Sequence, residues 1–205
     1  QGEYIEFMTP GVIILTAIFT SIFGGVNTLW DRRYGFMNKA LTSPISRSAI
    51  ALGKMSAISL ISALQASLII GIALAIGVNF PNPVMIIPIM GIVILFSLGF
   101  SGISVMVAAT AKSQETFWGV INFLGMPLFM ISPALFPLEL LPDWLAIIAK
   151  LNPVTYTILL VREMMTGVSE GGIPIIISLA VLFAFVIVMA GIASYVFTRE
   201  VNRPF

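Results

Sequence analysis

The sequence predicts an all-α, polytopic membrane helix bundle. Three observations predict it. Of 205 residues, 59% are apolar and only 9% charged, with mean hydropathy +1.07; a soluble domain is roughly 45–50% apolar and about 25% charged. The apolar residues gather in long runs free of Asp, Glu, Lys and Arg, matching the roughly 20 residues a helix needs to cross the hydrocarbon core. Within those runs the pattern is uniformly apolar, without the alternation a membrane β-barrel requires. A soluble core of this size still exposes much of its surface, so it cannot hide this composition, and disorder is excluded by the same numbers.

The first charge-free run covers 7–30, 24 residues, and predicts a span over about 8–30. The second covers 55–111, 57 residues, too long for one span and right for two. Asn79-Phe80-Pro81-Asn82-Pro83 interrupts it as a turn, giving spans over 55–78 and 84–111. Residues 116–138 form a fourth. The run 171–198, 28 residues, forms the last. Between 139 and 170 the charge-free runs are too short; 151–161 has only 11 residues. That region is expected to lie at the interface or to dip in and return. The sum is one transmembrane domain over 1–205, with five spans and one partial excursion.

Lys and Arg in short loops orient the spans. Loop 31–54 carries Arg32, Arg33, Lys39, Arg47 and Lys54 against the single acid Asp31, which predicts a cytoplasmic loop. The uncharged 79–83 turn and the acid-rich 139–170 segment are expected outside. Lys112, Arg199 and Arg203 are expected inside, so the C-terminus is cytoplasmic and the protein a multi-pass component of the cell membrane. The N-terminus, with Glu3 and Glu6, falls outside. An odd number of spans and a start at Gln1 predict a further span upstream, with five of six helices present here; the alternative is a protein whose N-terminus is external.

The chain has no Cys and no His. That removes thiolate chemistry, disulfides, the commonest general base and the commonest transition-metal ligand. A net charge of +1 makes nucleic acid an unexpected partner. The spans contain no Asp, Glu, Lys or Arg, so they offer no proton relay or charged selectivity ring. No P-loop occurs, so ATP is not expected to bind this chain. No acid, base or nucleophile cluster marks it as an enzyme.

Trp30, Tyr34, Met37 and Leu41 recur at i, i+4, i+7 and i+11, the spacing of one helix face. A short amphipathic helix over 31–41 follows, with Arg32, Arg33 and Lys39 on other faces. Thr42-Ser43-Pro44 ends it, and Ser46 is placed to cap the next helix. The loop reads equally as a basic interfacial anchor or as a docking helix, with Tyr34 and Phe36 filling a groove on a cytoplasmic partner. At the other end, Pro127, Pro133, Pro137, Pro142 and Pro153 break the fourth span as it leaves the membrane. Asp143 can cap a short helix, and Trp144 suits the headgroup level. This stretch reads as a structural rim or as a plug or gate on a substrate path. Arg162-Glu163 reads as a local ion pair. Gln65 and Asn122 are the least comfortable groups in lipid and are expected to face other helices, as polar candidates on a pathway. Gly99-x-x-Gly102 permits close packing.

Three segments together resemble the membrane permease subunits of type-2 ABC transporters, the drug, polysaccharide and lipid export family. The first is Trp30-Asp-Arg-Arg-Tyr-Gly-Phe-Met-Asn-Lys-Ala-Leu-Thr-Ser-Pro-Ile-Ser-Arg leading to Gly53-Lys54. The second runs from Phe129 through Pro133, Phe136 and Pro137 to Pro142-Asp143-Trp144. The third is Asn152-Pro153-Val154-Thr155-Tyr156 followed by Arg162. The resemblance implies a six-helix half-transporter that binds no cofactor itself, with ATP and Mg held by a partner ATPase subunit. It implies pairing with a second permease subunit in the lipid bilayer. It assigns Asp31, Arg32, Arg33, Tyr34, Gly35, Phe36 and Lys39 to a coupling helix that contacts the ATPase. Pro133, Phe136, Pro142, Trp144, Asn152 and Pro153 fall in the external re-entrant gate. Rival readings are an ATP-independent carrier or channel, and a membrane assembly subunit without transport.

Overall fold

The computed structural model describes residues 2–37, 42–78, 80, 82–135, 137–167 and 172–200. It is an all-helical bundle. Helix α1 spans Gly2–Arg33, α2 Arg47–Ile76 and α3 Ile86–Thr110. The shorter α4, Gln114–Met130, is followed by α5, Asp143–Leu151, α6, Pro153–Thr166, and α7, Ile175–Glu200. Among the described residues four segments are long and apolar enough to cross a membrane: α1 from Tyr4, α2, α3 with its preceding turn, and α7. The α5–α6 pair, bent by 86°, makes a fifth if counted as one broken span.

Local chemistry sets the helix ends. Ser46 Oγ accepts from Ala49 N at 3.3 Å and starts α2. Gly77, at φ 95°, ends it with its N–H turned back to Ala73 and Leu74 carbonyls, a conformation glycine takes without a Cβ penalty. Asn82 Oδ1 accepts from Val84 N at 3.1 Å and opens the turn Pro83–Met85 ahead of α3. Ser113 Oγ accepts from Thr116 N at 3.2 Å and starts α4.

Helix α3 is the centre, packed on α1, α2 and α7. Its buried residues combine large apolar groups such as Ile89, Phe96 and Phe100 with a run of small ones, Ser97, Gly99, Ser101, Gly102 and Ser104. A Cβ on Gly99 would lie 2.6 Å from the Phe185 ring of α7, and one on Gly102 would lie 3.1 Å from the Met189 carbonyl oxygen. Small residues let the two backbones approach, which supplies dispersion contact where lipid gives no hydrophobic drive between helices. Ser104 Oγ also crosses to Ser21 O on α1 at 2.7 Å.

Two elements differ from the sequence expectation, the end of the run 116–138 and the end of α1, and the structure gives the α5–α6 segment its form. The run expected to span over 116–138 is helical only to Met130; its 17 residues rise about 26 Å, less than a hydrocarbon core of about 30 Å. Past Met130 the chain turns back into the bundle, with Ser132, Pro133 and Ala134 buried. Ala134 O sits where a Cβ on Gly11 would fall at 2.8 Å, so glycine at 11 admits the returning chain. Second, the segment expected to lie at the interface or to dip in and return bends by 86° between α5 and α6, and α6 is buried: Val154, Ile158, Leu160 and Val161 are at most 1% exposed, packed on α1, α3 and α7. Third, α1 continues through Arg33 instead of yielding to a separate helix at Asp31. The break falls at Gly35, φ 76°, with helix resuming at Phe36 and Met37. That break splits the expected Trp30-Tyr34-Met37 stripe: Met37 is buried with Met55 and Phe197, whereas Trp30 and Tyr34 are exposed. Leu41 lies outside the described residues.

Candidate functional site

Helix direction brings the ends of α1, α3 and α7 and the starts of α2 and α4 to one end of the bundle. There the end of α1 is held twice. Lys54 Nζ on α2 meets Asp31 Oδ2 at 2.5 Å. Arg32 Nη1 donates to Ala108 O at 2.9 Å and also to Ala109 O, two carbonyls of the last turn of α3. The last four carbonyls of a helix lack intrahelical donors, and a cation there also meets the negative end of the helix dipole. The Glu200 carboxylate at the end of α7 adds an electrostatic interaction with Arg32. Arg32 therefore faces into the bundle, and reversing its charge tests the fold as much as any docking.

Beyond this clamp the aromatic rings project. Tyr34 is 70% exposed and Phe36 59% exposed. Gly35 between them takes the left-handed conformation, and Tyr34 N donates back to Trp30 O at 2.8 Å. Arg33 is exposed on the side of α1 facing the start of α4. With Trp30, Lys112 and Glu115 it lines a cleft of about 470 Å³. The Glu115 carboxyl is held below the ordinary carboxylate range, chiefly by a hydrogen bond from Ser113, with Arg33 contributing. Lys39 lies outside the described residues.

At the opposite end the gate candidates separate. Pro133 and Asn152 are buried inside the protein; Pro142 and Trp144 are exposed. Asn152 caps α6, its Oδ1 accepting from Val154 N at 3.0 Å while its Nδ2 donates to Leu128 O of α4. Pro153 is the first residue of α6, where a missing N–H costs nothing. Pro142 O accepts from Leu145 N and Ala146 N and starts α5. Phe136 lies outside the described residues.

Arg162 takes a role that differs from the local pairing with Glu163 that its sequence neighbourhood suggests. The residue is 1% exposed, and Nη2 donates to Pro133 O at 2.7 Å and to Phe7 O at 3.1 Å. It stands 3.8 Å above the Phe7 ring centroid, a cation–π contact. The available signal is an arginine following an eleven-residue charge-free run, which marks a charge drawn into protein; nothing in the local pattern identifies its distant partners.

In the middle of the bundle, Gln65 of α2 meets the Thr20 hydroxyl of α1. The two line a groove of about 420 Å³ with Thr16, Phe19, Phe23 and Asn27. Asn122 is not in this group. It lies on the exposed face of α4, because α4 buries only Phe117, Ile121, Gly125 and Phe129 at four-residue spacing. Asn122 is expected from the sequence to face other helices, and among the described residues of this chain it faces none. The comparably placed polar groups are Thr16, Thr20 and Asn27, which a search for amide side chains alone partly overlooks.

Comparison with known proteins follows the same outline. A family model described as ABC-2 type transporter matches residues 1–166. A Cyanophora paradoxa protein named as transport permease ycf38 is 32% identical over 159 residues, covering 77% of this chain and 55% of that protein. Nodulation protein J of Sinorhizobium fredii is 23% identical over 184 residues, covering 88% and 69%. The daunorubicin resistance ABC transporter permease DrrB1 of Streptomyces coeruleorubidus is 23% identical over 167 residues, covering 80% and 59%. The chain spans about half the length of the ycf38 relatives it matches.

Proposed function

The chain belongs to the ABC-2 type transporter family, and from that premise we propose that it is the membrane permease of an exporter driven by a separate ATP-binding subunit. The fold supplies a transmembrane bundle, the given sequence carries no P-loop, and in this reading the ATP-binding subunit is the energy source. The observation that carries the reading is the contrast at the end of α1. Tyr34 and Phe36 are exposed aromatic rings, immediately beyond a point where Asp31–Lys54 and Arg32–Ala108 fasten α1 to α2 and α3. Exposed aromatics on a rigid base fit a docking element. The base passes displacement on to three helices at once.

In this mechanism the ATPase subunits close on ATP and push on Tyr34, Gly35 and Phe36, with Lys39 and Arg33 fixing register. The clamp converts the push into a tilt of α1, α2 and α3 together. That tilt changes what the groove between α1 and α2, where Gln65, Thr20 and Asn27 interrupt an aromatic wall, faces across the pathway. A second permease subunit completes the pathway on the side left open in this chain. Uncharged polar groups among aromatics suit an amphipathic substrate, whose apolar part meets Phe19 and Phe23. At the far end, α5 and α6, with Pro133 and Asn152 holding their approach, form the outer gate, and Pro142 and Trp144 its lipid-facing rim. The basic end then lies in the cytoplasm, together with the C-terminus.

Reconstitution tests this. Proteoliposomes holding the protein and its co-purified subunits are expected to move an amphipathic fluorescent substrate only with hydrolysable ATP. Movement down a gradient without ATP contradicts the proposal in favour of a carrier.

A further inference from the structure

The cleft at the basic end shares Arg33 with the proposed docking element, but its second cation and its apolar lining have no part in docking or transport. It lies between the last turn of α1 and the first turn of α4, at the end of the bundle where the candidate span of α1 ends. Two cations, Arg33 and Lys112, open onto a volume of about 470 Å³ floored by Leu29 and Trp30. Among the described residues neither cation makes a hydrogen bond or an ion pair. Among the described residues that line the cleft the acid is Glu115, and it is already engaged, by the Ser113 hydroxyl and its own backbone N–H. Its charge offsets one of the two cations and leaves a net positive pocket. Trp30 is 45% exposed, and an indole beside basic groups is the side chain that settles at headgroup depth.

We propose that this cleft holds the headgroup of an anionic phospholipid. The phosphate sits between the Arg33 guanidinium and the Lys112 ammonium, and the glycerol and upper acyl chain lie along Trp30 and Leu29. Charge complementarity selects an anion. The apolar floor and the adjoining lipid-facing side of α1 select one attached to an acyl chain over a free phosphate. The inference rests on the cleft and on the chain spanning a bilayer; it does not depend on ATP coupling.

The test uses the full chain carrying W118F and W144F, which leaves Trp30 as the sole tryptophan. The protein is placed in phosphatidylcholine vesicles containing a minor fraction of bromine-labelled lipid. Brominated phosphatidylglycerol is expected to quench Trp30 more strongly than the same fraction of brominated phosphatidylcholine. Lys112→Gln is expected to weaken that preference about fivefold, and Lys112→Gln with Arg33→Gln to abolish it. Arg47→Gln, the same charge change at the same end but outside the cleft, is expected to leave it intact. Equal quenching by the two lipids overturns the proposal, and so does an equal loss with Arg47→Gln, which means diffuse surface attraction. Loss of the preference on adding inorganic phosphate overturns the lipid assignment in favour of a free anion. Native mass spectrometry of the otherwise unaltered chain counts the phosphatidylglycerol retained with and without Lys112→Gln, and so tests the same preference without the tryptophan replacements. Greater retention by the parent is expected; equal retention overturns the proposal. Both measurements omit any ATPase, so failure here and failure of the transport reading are separate results.

Discussion

Arg162 Nη2 donates to the carbonyl oxygen of Pro133 at 2.7 Å, joining residues 29 apart in sequence within the buried interior. The same nitrogen reaches Phe7 O on α1. One guanidinium thus fixes three pieces of chain: the first turns of α1, the turn after α4, and α6. A turn at membrane depth has carbonyls that no helix satisfies, and such backbone is tolerated only when protein groups meet it. Arg162 supplies those donors.

Replacing it is therefore costly. Arg162→Ala leaves the Pro133 carbonyl without its donor and removes the ring contact, an expected loss of about 3 kcal/mol. Arg162→Lys keeps the charge but replaces the planar fork with a point donor, and an intermediate loss is expected. Thermal unfolding in detergent, followed by circular dichroism, orders the three proteins. Equal stability of Arg162→Ala and the parent contradicts the assignment.

The two neighbouring arginines at the end of α1 are expected to behave differently. Arg32→Glu places a carboxylate against the Ala108 and Ala109 carbonyls, and a loss of stability of about 2 kcal/mol or more is expected. Arg33→Glu changes an exposed side chain and is expected to stay within about 0.5 kcal/mol. Melting of the two variants side by side separates a fold contact from a surface charge.

The Asp31–Lys54 pair is partly exposed, at 39% and 23%, so its coupling is expected to be under about 1 kcal/mol and to shrink with salt. A double-mutant cycle with Asp31→Asn and Lys54→Met measures it. A coupling of several kcal/mol, insensitive to salt, contradicts this account of the clamp and assigns most of the fastening to the ion pair, away from Arg32.

Close packing of α3 on α7 makes Gly102 intolerant. Gly102→Val puts branched carbons against the Met189 backbone, which cannot give way as a side-chain tip can. A loss of about 2 kcal/mol is expected. Gly91→Val, on the same helix but with no neighbour within 4 Å of a Cβ, is expected to change little. Detergent melting curves compare the two.

Much of the fold is legible in the sequence because lipid makes the solvent rule simple. Charge-free runs of 20 or more residues give α1, α2, α3 and α7, and Asn82 with Pro83 marks the turn between α2 and α3. The 116–170 region is less legible. Its hydropathy gives the same signal for a helix that crosses, a turn that folds back at Ser132–Ala134, and a buried α6, because all three are apolar. Only the cost of unsatisfied backbone separates them, and that depends on Arg162 and Asn152 reaching carbonyls far along the chain. Around Arg32 the sequence carries the charge but not its direction. One break at Gly35 turns Met37 inward and leaves Tyr34 and Phe36 outside, which a periodicity carried through Gly35 as one continuous helix cannot anticipate. The site residues at the basic end are legible as a group, because charge density marks them; their division into clamp, projecting rings and cleft is not.

The central claim is that Tyr34 and Phe36 form the docking element for an ATPase. Purification of the full-length protein from its native membrane in mild detergent, with identification of what accompanies it, tests this most directly when run beside Tyr34→Ala/Phe36→Ala. The predicted result is a stoichiometric partner bearing a P-loop with the parent protein, and its loss from the double variant while membrane insertion and melting temperature are unchanged. An intact parent with no ATPase bound, or a double variant that retains the ATPase in full, contradicts it.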